Sequence, residues 1–228
     1  MYFRKDTQFE RKLYEDGIKL IAGIDEVGRG PLAGPFVVSA VILDLDKLFS
    51  IKLDELPEKL SESKQLPLFP YTQIKDSKQV SARKREVLAE FIKKEAISYS
   101  IVTLPPEEVD KLGISATTQK AFFNAIQKLG KKPQHVLTDT FEIVKLTKEH
   151  QINIIRGDTR SISIAAASIV AKVYRDNIMC EMHKKYPNYG FDCHKGYGTK
   201  AHMDAIYRFG PCEIHRKSFN PVKSMLES

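Results

Sequence analysis

Apolar and polar positions change period several times along the chain, and each change marks an element. Residues 20–24 form a brief apolar run that ends in two adjacent carboxylates, Asp25 and Glu26. The turn-rich stretch 28–35 follows, then the strand-like run 36–43, so two strands joined by a glycine-rich turn are predicted. Residues 44–75 are mixed in charge and carry Pro57, Pro67 and Pro70. They predict a long surface connection with at most one short helix, an insertion and not a domain. Ser81 is placed to cap a helix in which Val87, Leu88, Phe91 and Ile92 recur at helical spacing, and residues 97–104 then alternate as a strand. A second helix is predicted from about Ser115, with Phe122, Phe123, Ile126 and Leu129 on one face and Gly130 as its C-cap. Residues 135–141 read as another strand, and residues 152–158 as a short extended run ending at Asp158. Residues 161–186 form a long helix whose alanines and serines permit close packing. A glycine and histidine turn (194–199), a short helix (201–210) and a basic tail (215–224) close the chain. This alternation implies a mainly α/β sheet.

Composition narrows the class. With 228 residues, 42% of them hydrophobic, the chain can bury a core without disulfides or structural metal. Lysine and arginine number 36 against 29 acidic residues, a formal charge of +7, which is the bias of a protein that approaches a polyanion. No apolar run approaches the roughly 18 residues of a membrane span, and residues 1–17 carry no apolar leader core, so the chain reads as cytoplasmic, free or nucleoid-associated. The three cysteines, Cys180, Cys193 and Cys212, form no C-x-x-C pair and fit a reducing compartment. The spacing of Cys193, His194, Cys212 and His215 matches no usual zinc pattern.

Adjacent carboxylates at the end of a buried strand need a cation, because an unpaired buried charge is costly. Asp139 and Asp158 also end apolar runs, and ligand sites in open α/β sheets gather beyond the carboxyl ends of strands. Four carboxylates in one cleft would suit Mg²⁺ or Mn²⁺, in prospect a two-metal site that activates a water and stabilises a leaving 3′-oxygen. The alternative for Asp158 is a helix cap, and for Asp139 a turn. The stretch 28–33 formally satisfies the G-x-G-x-x-G/A dinucleotide fingerprint, but the prolines and β-branched run after it predict a second strand where that fingerprint needs a helix. Its glycines instead provide permissive backbone whose N–H groups can approach a sugar or phosphate, with Arg29 adding charge. Lys78 and Arg175 are candidate phosphate contacts, as are Arg216 and Lys217 in the tail; a solvated helix face or tail is the plain alternative for each. His194, His202 and His215 read as surface or turn residues and not as general bases.

Residues 23–35, the Asp76-Ser77-Lys78 triplet, residues 156–176, residues 194–199 and residues 215–219 together resemble ribonuclease HII, the type 2 ribonuclease H. The motifs occur in family order from residue 21 to 222. The resemblance implies an α/β ribonuclease H-like fold: a mixed five-stranded sheet flanked by helices, with a helical C-terminal portion. One catalytic domain would span 1–228, with 44–75 an insertion loop and 186–228 a substrate-facing extension. It implies a monomeric, metal-dependent endonuclease that cuts the RNA strand of RNA–DNA hybrids and incises 5′ of ribonucleotides embedded in duplex DNA. By resemblance, Asp25, Glu26, Asp139 and Asp158 are the catalytic, metal-binding acids. Gly28, Arg29 and Gly30 contact the ribose 2′-hydroxyl, and Tyr197 packs on the sugar after the junction. A non-catalytic hybrid-binding module is the competing reading.

Two departures from the family pattern carry expectations. The family usually has glycine after its third acid, whereas this chain has Thr140. A threonine takes positive φ only at a cost, which predicts a different local backbone and a different aim for the Asp139 carboxylate. The 44–75 connection is longer than the family's usual link. The related ribonuclease HIII carries an extra N-terminal domain before its acids; here the acid pair starts at residue 25, which favours the HII type.

Overall fold

The run 36–42 is apolar on both sides because it lies inside a sheet covered on both faces, and such strands lose the in-and-out alternation of a half-exposed strand. In the computed structural model, which describes residues 7–50, 70–74, 77 and 80–227, this strand is β2 (Phe36–Ile42), buried throughout. It pairs antiparallel with β1 (Ile21–Val27) and with β3 (Ser98–Leu104). The edge strand β3 keeps the alternation its sequence shows, buried at every second residue. On the other side of β1 lie β4 (His135–Asp139) and β5 (Gln151–Ile154), both parallel. The mixed five-stranded order is β3-β2-β1-β4-β5.

Each face carries one apolar cluster. On one, Ile21, Val41, Leu137 and Ile154 meet α5 (Ile162–Lys185) and α3 (Ala82–Glu95), with α1 (Gln8–Glu15) beside them. On the other, Ala22, Ile24, Phe36, Val38 and Val136 meet Phe122, Ala125 and Ile126 of α4 (Pro106–Gln127). The small residues of α5 permit the close approach expected of them. A β-carbon at Gly23 would stand 2.1 Å from the Ser163 carbonyl carbon, so β1 and the start of α5 touch backbone to backbone.

Several boundaries differ from expectation. The helix expected from about Ser115 is preceded by a further helical stretch that starts at Pro106, with Glu107 and Glu108 in its first turn. Proline at the start and acids in the first turn are helix-start signals, and Gly113, at φ 72° and ψ 160°, separates this stretch from the expected helix that follows it. Gly130 is not its cap: the helix ends at Gln127, and the Gly130 amide donates to Ser98 Oγ at 2.9 Å. Ser81 occupies the N-cap of α3 without a side-chain cap bond. β5 stops at Ile154, so Asp158 lies in a 3-10 turn, and Ser161 caps α5 by accepting from the Ile164 amide at 3.2 Å. Most of the 44–75 connection lies outside the described residues. Its two ends are anchored: α2 (Leu45–Ser50) buries Leu45 and Leu48, and Tyr71 and Ile74 join the same core cluster.

Beyond α5, the short helices α6 (Phe191–His194), α7 (Lys200–Phe209) and α8 (Val222–Glu227) form two satellite clusters. Met179, Tyr189 and Phe191 pack on Ala33 in one, and Ile206 and Val222 pack on Leu32 in the other. The C-terminal portion thus closes on the glycine-rich loop.

Candidate active site

Parallel strands in register bring their carboxyl ends to one place. Ile24 lies opposite Thr138, so Asp25, two residues before the end of β1, stands beside Asp139, the last residue of β4, and Asp139 lies opposite Ile154 of β5. The turn after β5 then returns Asp158 to the same end. The four acids sense one another: Asp25 feels Glu26 and Asp139, and Glu26 feels Asp139 and Asp158. Burial, followed by the charge of Glu26, holds the Asp25 carboxyl well above the usual range, against a hydrogen bond with Ser168. Burial likewise pushes Glu26 up to about 7, against the charge of Arg29. Among the described residues, Glu26 Oε2 is buried with no hydrogen-bond partner.

Two donors hold Asp139 Oδ1, the Gly157 amide at 2.8 Å and the Thr140 hydroxyl at 3.2 Å. The expectation for Thr140 is corrected here. It does adopt positive φ, 63°, with its amide on the Ile154 carbonyl at 3.1 Å and the Phe141 amide returning to the Asp139 carbonyl at 2.7 Å. A three-residue turn of this kind with positive φ at its centre is strained. The pairing to β5 and the bonds to Asp139 overcome that strain.

The glycine-rich loop is held from inside by two guanidinium groups. Arg216 donates to the carbonyls of Gly28, Arg29 (3.0 Å) and Gly34 (3.1 Å). Arg175 donates to those of Pro35 (2.9 Å), Ala33 (3.1 Å) and Lys195 (3.0 Å). Both side chains are fully buried, so neither is a phosphate contact; of the two tail residues expected to contact phosphate, Arg216 and Lys217, Lys217 is exposed. Since a trans peptide points its N–H opposite its C=O, turning the Gly28 and Arg29 carbonyls inward turns the Arg29 and Gly30 amides outward. Gly28 has φ of 91°, and a β-carbon there would sit 2.4 Å from Arg175 Nε, so only glycine fits. The half-exposed Arg29 side chain lies over Phe141, 4.2 Å from the ring centre, donates to Thr118 Oγ1 at 3.3 Å and stands 4.0 Å from Glu26.

Tyr197 projects beside this loop, 41% exposed. The preceding Gly196 carbonyl accepts from the Leu32 amide at 2.8 Å. The expectation for the histidines is corrected: His202 and His215 are buried and His194 half-buried, bonded to the backbone of this region. Lys78 lies outside the described residues. The remaining expected site residues, Asp25, Glu26, Gly28, Arg29, Gly30, Asp139, Asp158 and Tyr197, share one end of the sheet and the loop above it.

The model for the family described as ribonuclease HII matches residues 22–222. The chain belongs to the ribonuclease HII family. It is accordingly an endoribonuclease that acts on the RNA of RNA–DNA hybrids. A ribonuclease HII of Caldanaerobacter subterraneus subsp. tengcongensis is 46% identical over 211 residues, which is 92% of this chain and 78% of that one. That of Chlamydia caviae is 40% identical over 228 residues, covering 98% of this chain and 95% of the relative. The crystal structure of ribonuclease H2 from Pyrococcus horikoshii OT3 superposes with a TM-score of 0.70 at 22% identity, over 91% of this chain and 97% of that one, which shows the shared fold. No helix among the described residues is long and apolar enough to cross a membrane.

Sequence reasoning missed Ser168, which bonds Asp25 and lies 3.0 Å from Ser77 Oγ. Its signal is a polar residue in the most apolar stretch of α5. It also missed Phe141, the platform under Arg29, for which a lone aromatic after a turn gives no distinguishing sign.

Proposed function

We propose that Asp25, Glu26, Asp139 and Asp158 hold divalent ions, Mg²⁺ or Mn²⁺, and that the chain incises duplex DNA 5′ of an embedded ribonucleotide as well as cutting continuous hybrids, leaving 5′-phosphate and 3′-hydroxyl ends. The observation that carries this reading is the placement of four mutually repelling acids beside a loop whose outward amides are fixed by buried arginines. The donor set fits a hard cation: all ligands are oxygens, and the orphaned Glu26 Oε2 and the raised Asp25 and Glu26 carboxyls are what a cation would relieve. Among the described residues no three histidine, cysteine or acidic side chains stand close enough together to hold an ion by themselves, so water and substrate phosphate would have to complete its shell. Mg²⁺ is commonly bound in that way, by one or two carboxylates with several waters and substrate phosphates. Such ions supply Lewis acidity for in-line displacement at a phosphodiester.

This chain's own residues do the rest. Ser168 orients Asp25, and the Gly157 amide orients Asp139. The Arg29 and Gly30 amides read the 2′-hydroxyl, the one group that separates RNA from DNA at a residue, while the Tyr197 ring supports the next sugar. One single domain of this kind, with its C-terminal portion closing on the loop, acts as a monomer in the cytoplasm on RNA–DNA hybrid and on DNA containing ribonucleotides.

The test is cleavage of a DNA duplex containing one ribonucleotide, with an all-DNA duplex as control and Mg²⁺ and Mn²⁺ titrated separately. One metal-dependent cut 5′ of the ribonucleotide is expected. Cleavage of continuous hybrid alone would discard the junction reader.

A further inference from the structure

Outside the acid cluster the molecule buries a second set of titratable side chains, and these form a chain of hydrogen bonds with a direction. The Cys212 amide donates to His215 Nδ1 at 2.8 Å. The Cys212 carbonyl lies farther from the same nitrogen, at 3.3 Å; with the shorter contact made by the amide, Nδ1 accepts and carries no hydrogen, so the proton of neutral His215 is on Nε2. That nitrogen lies 3.1 Å from His202 Nε2, which must then accept. The proton of His202 is left on Nδ1, 2.9 Å from the Tyr197 carbonyl, which can only accept. Starting from the Tyr197 carbonyl and counting back gives the same tautomers. His194 stacks on His202 with ring centres 4.4 Å apart, and its Nδ1 accepts from the Gly196 amide at 3.2 Å. Burial keeps His202 and His215 neutral, each pushed down to about 4.

This chain ends on Tyr197 and not on any reacting group. It also reaches the other half of the proposed reader. His215 bridges Ala33, its neighbour Arg216 holds the Gly28 and Arg29 carbonyls, and the Gly196 carbonyl receives Leu32. We propose that His202, locked in one tautomer by His215, is a positioning residue that sets the backbone of Tyr197 relative to the glycine-rich loop, and so tunes preference for a lone ribonucleotide over a continuous hybrid. This rests on the reading of Tyr197 given above. A continuous hybrid offers ribose contacts along the whole groove, whereas a single ribonucleotide depends on the loop and the tyrosine together.

The amide nitrogen of asparagine can take the place of the Nδ1 donor, and the amide oxygen of glutamine that of the Nε2 acceptor. His202→Asn therefore keeps the bond to Tyr197, and His202→Gln keeps only the contact with His215. Steady-state kinetics on a single-ribonucleotide duplex and on a continuous hybrid separate them. His202→Gln is expected to raise KM about tenfold on the single-ribonucleotide duplex, the worth of roughly one hydrogen bond, with kcat and the continuous hybrid unchanged, while His202→Asn stays within about twofold on both. Equal losses on both substrates in both variants, or no loss in His202→Gln, overturn the proposal. Tyr197→Ala runs alongside: if it alters the preference while His202→Gln does not, the reading of Tyr197 stands and the proposal falls. If Tyr197→Ala alters nothing, the reading itself falls and takes the proposal with it. Independently of any variant's folding, nitrogen-15 spectra of the unaltered protein should find His202 protonated at Nδ1 and His215 at Nε2; the opposite pair of tautomers refutes the proposal.

Discussion

The acid cluster and the histidine–arginine cluster lie at the same end of the molecule and bury titratable groups by opposite rules. At the carboxyl ends of β1 and β4 like charges face one another, and Glu26 Oε2 has no partner among the described residues. Around Arg216, Arg175, His202 and His215 each donor meets a carbonyl or a ring nitrogen, and the chain of tautomers closes without a spare proton. A buried polar group left unsatisfied is expensive, so the first region is stabilised by what it binds, and the second stabilises what it touches. Charge alone does not separate them, since a guanidinium and a carboxylate are both costly to bury unpaired. The pattern of partners does.

The largest expected effect is at the unsatisfied region. Asp25→Asn should lower cleavage by at least ~10³-fold, about 4 kcal/mol of barrier, while substrate binding is largely kept. A single-turnover gel assay beside a binding titration checks this, and full activity would remove Asp25 from the mechanism. Next is the satisfied region. Arg216→Ala strands the carbonyls of Gly28, Arg29 and Gly34 and should cost about 3–5 kcal/mol in urea unfolding, of which Arg216→Lys recovers only part. A loss under about 1 kcal/mol would mean that water replaces the guanidinium, and the contrast between the regions would fail.

Proton linkage sharpens the comparison. The folded state raises the Glu26 carboxyl to about 7, so the metal-free native form binds that proton more tightly than the unfolded chain. The resulting stability is present below the unfolded value and is lost as pH rises through about 7. Metal-free Glu26→Gln should therefore unfold at a higher temperature than the parent at pH 8, by roughly 2–3 kcal/mol at most, with the gap closing toward pH 4.5. The histidines have the reverse sign: with His202 and His215 pushed down to about 4, their contribution is intact above about 6.5 and lost as pH falls from there toward about 4. A gap that does not change with pH would show that Glu26 is not held in its neutral form by burial. The smallest effect is at Thr140. Thr140→Gly should stabilise the chain by about 1 kcal/mol in urea unfolding, because a β-branched residue leaves the left-handed region, with part of that gain offset by glycine's greater freedom when unfolded. No gain would mean that the hydroxyl bond to Asp139 compensates the strain.

Apolar runs with a period of two, or with none, mark the strands in the sequence, and small residues mark the long helix α5. The sequence also shows the family, through motifs kept in order, and singles out four acids, Asp25 and Glu26 as an adjacent pair at a buried strand and Asp139 and Asp158 through the family motifs, since taken alone a turn or a cap explains each of the last two. The helical stretch from Pro106 to Gly113 carries local start signals that an expected start at Ser115 passes over, whereas nothing local could decide that Thr140 would accept a positive φ, since that depends on the pairing to β5 and the bonds to Asp139. Nor could local pattern tell a surface arginine from a buried one: Arg175, Arg216 and Lys217 look alike as basic residues in polar segments. Only the tertiary structure placed carbonyls from residues 28–35 around two of them, because a guanidinium's cost of burial is decided by acceptors more than a hundred residues away.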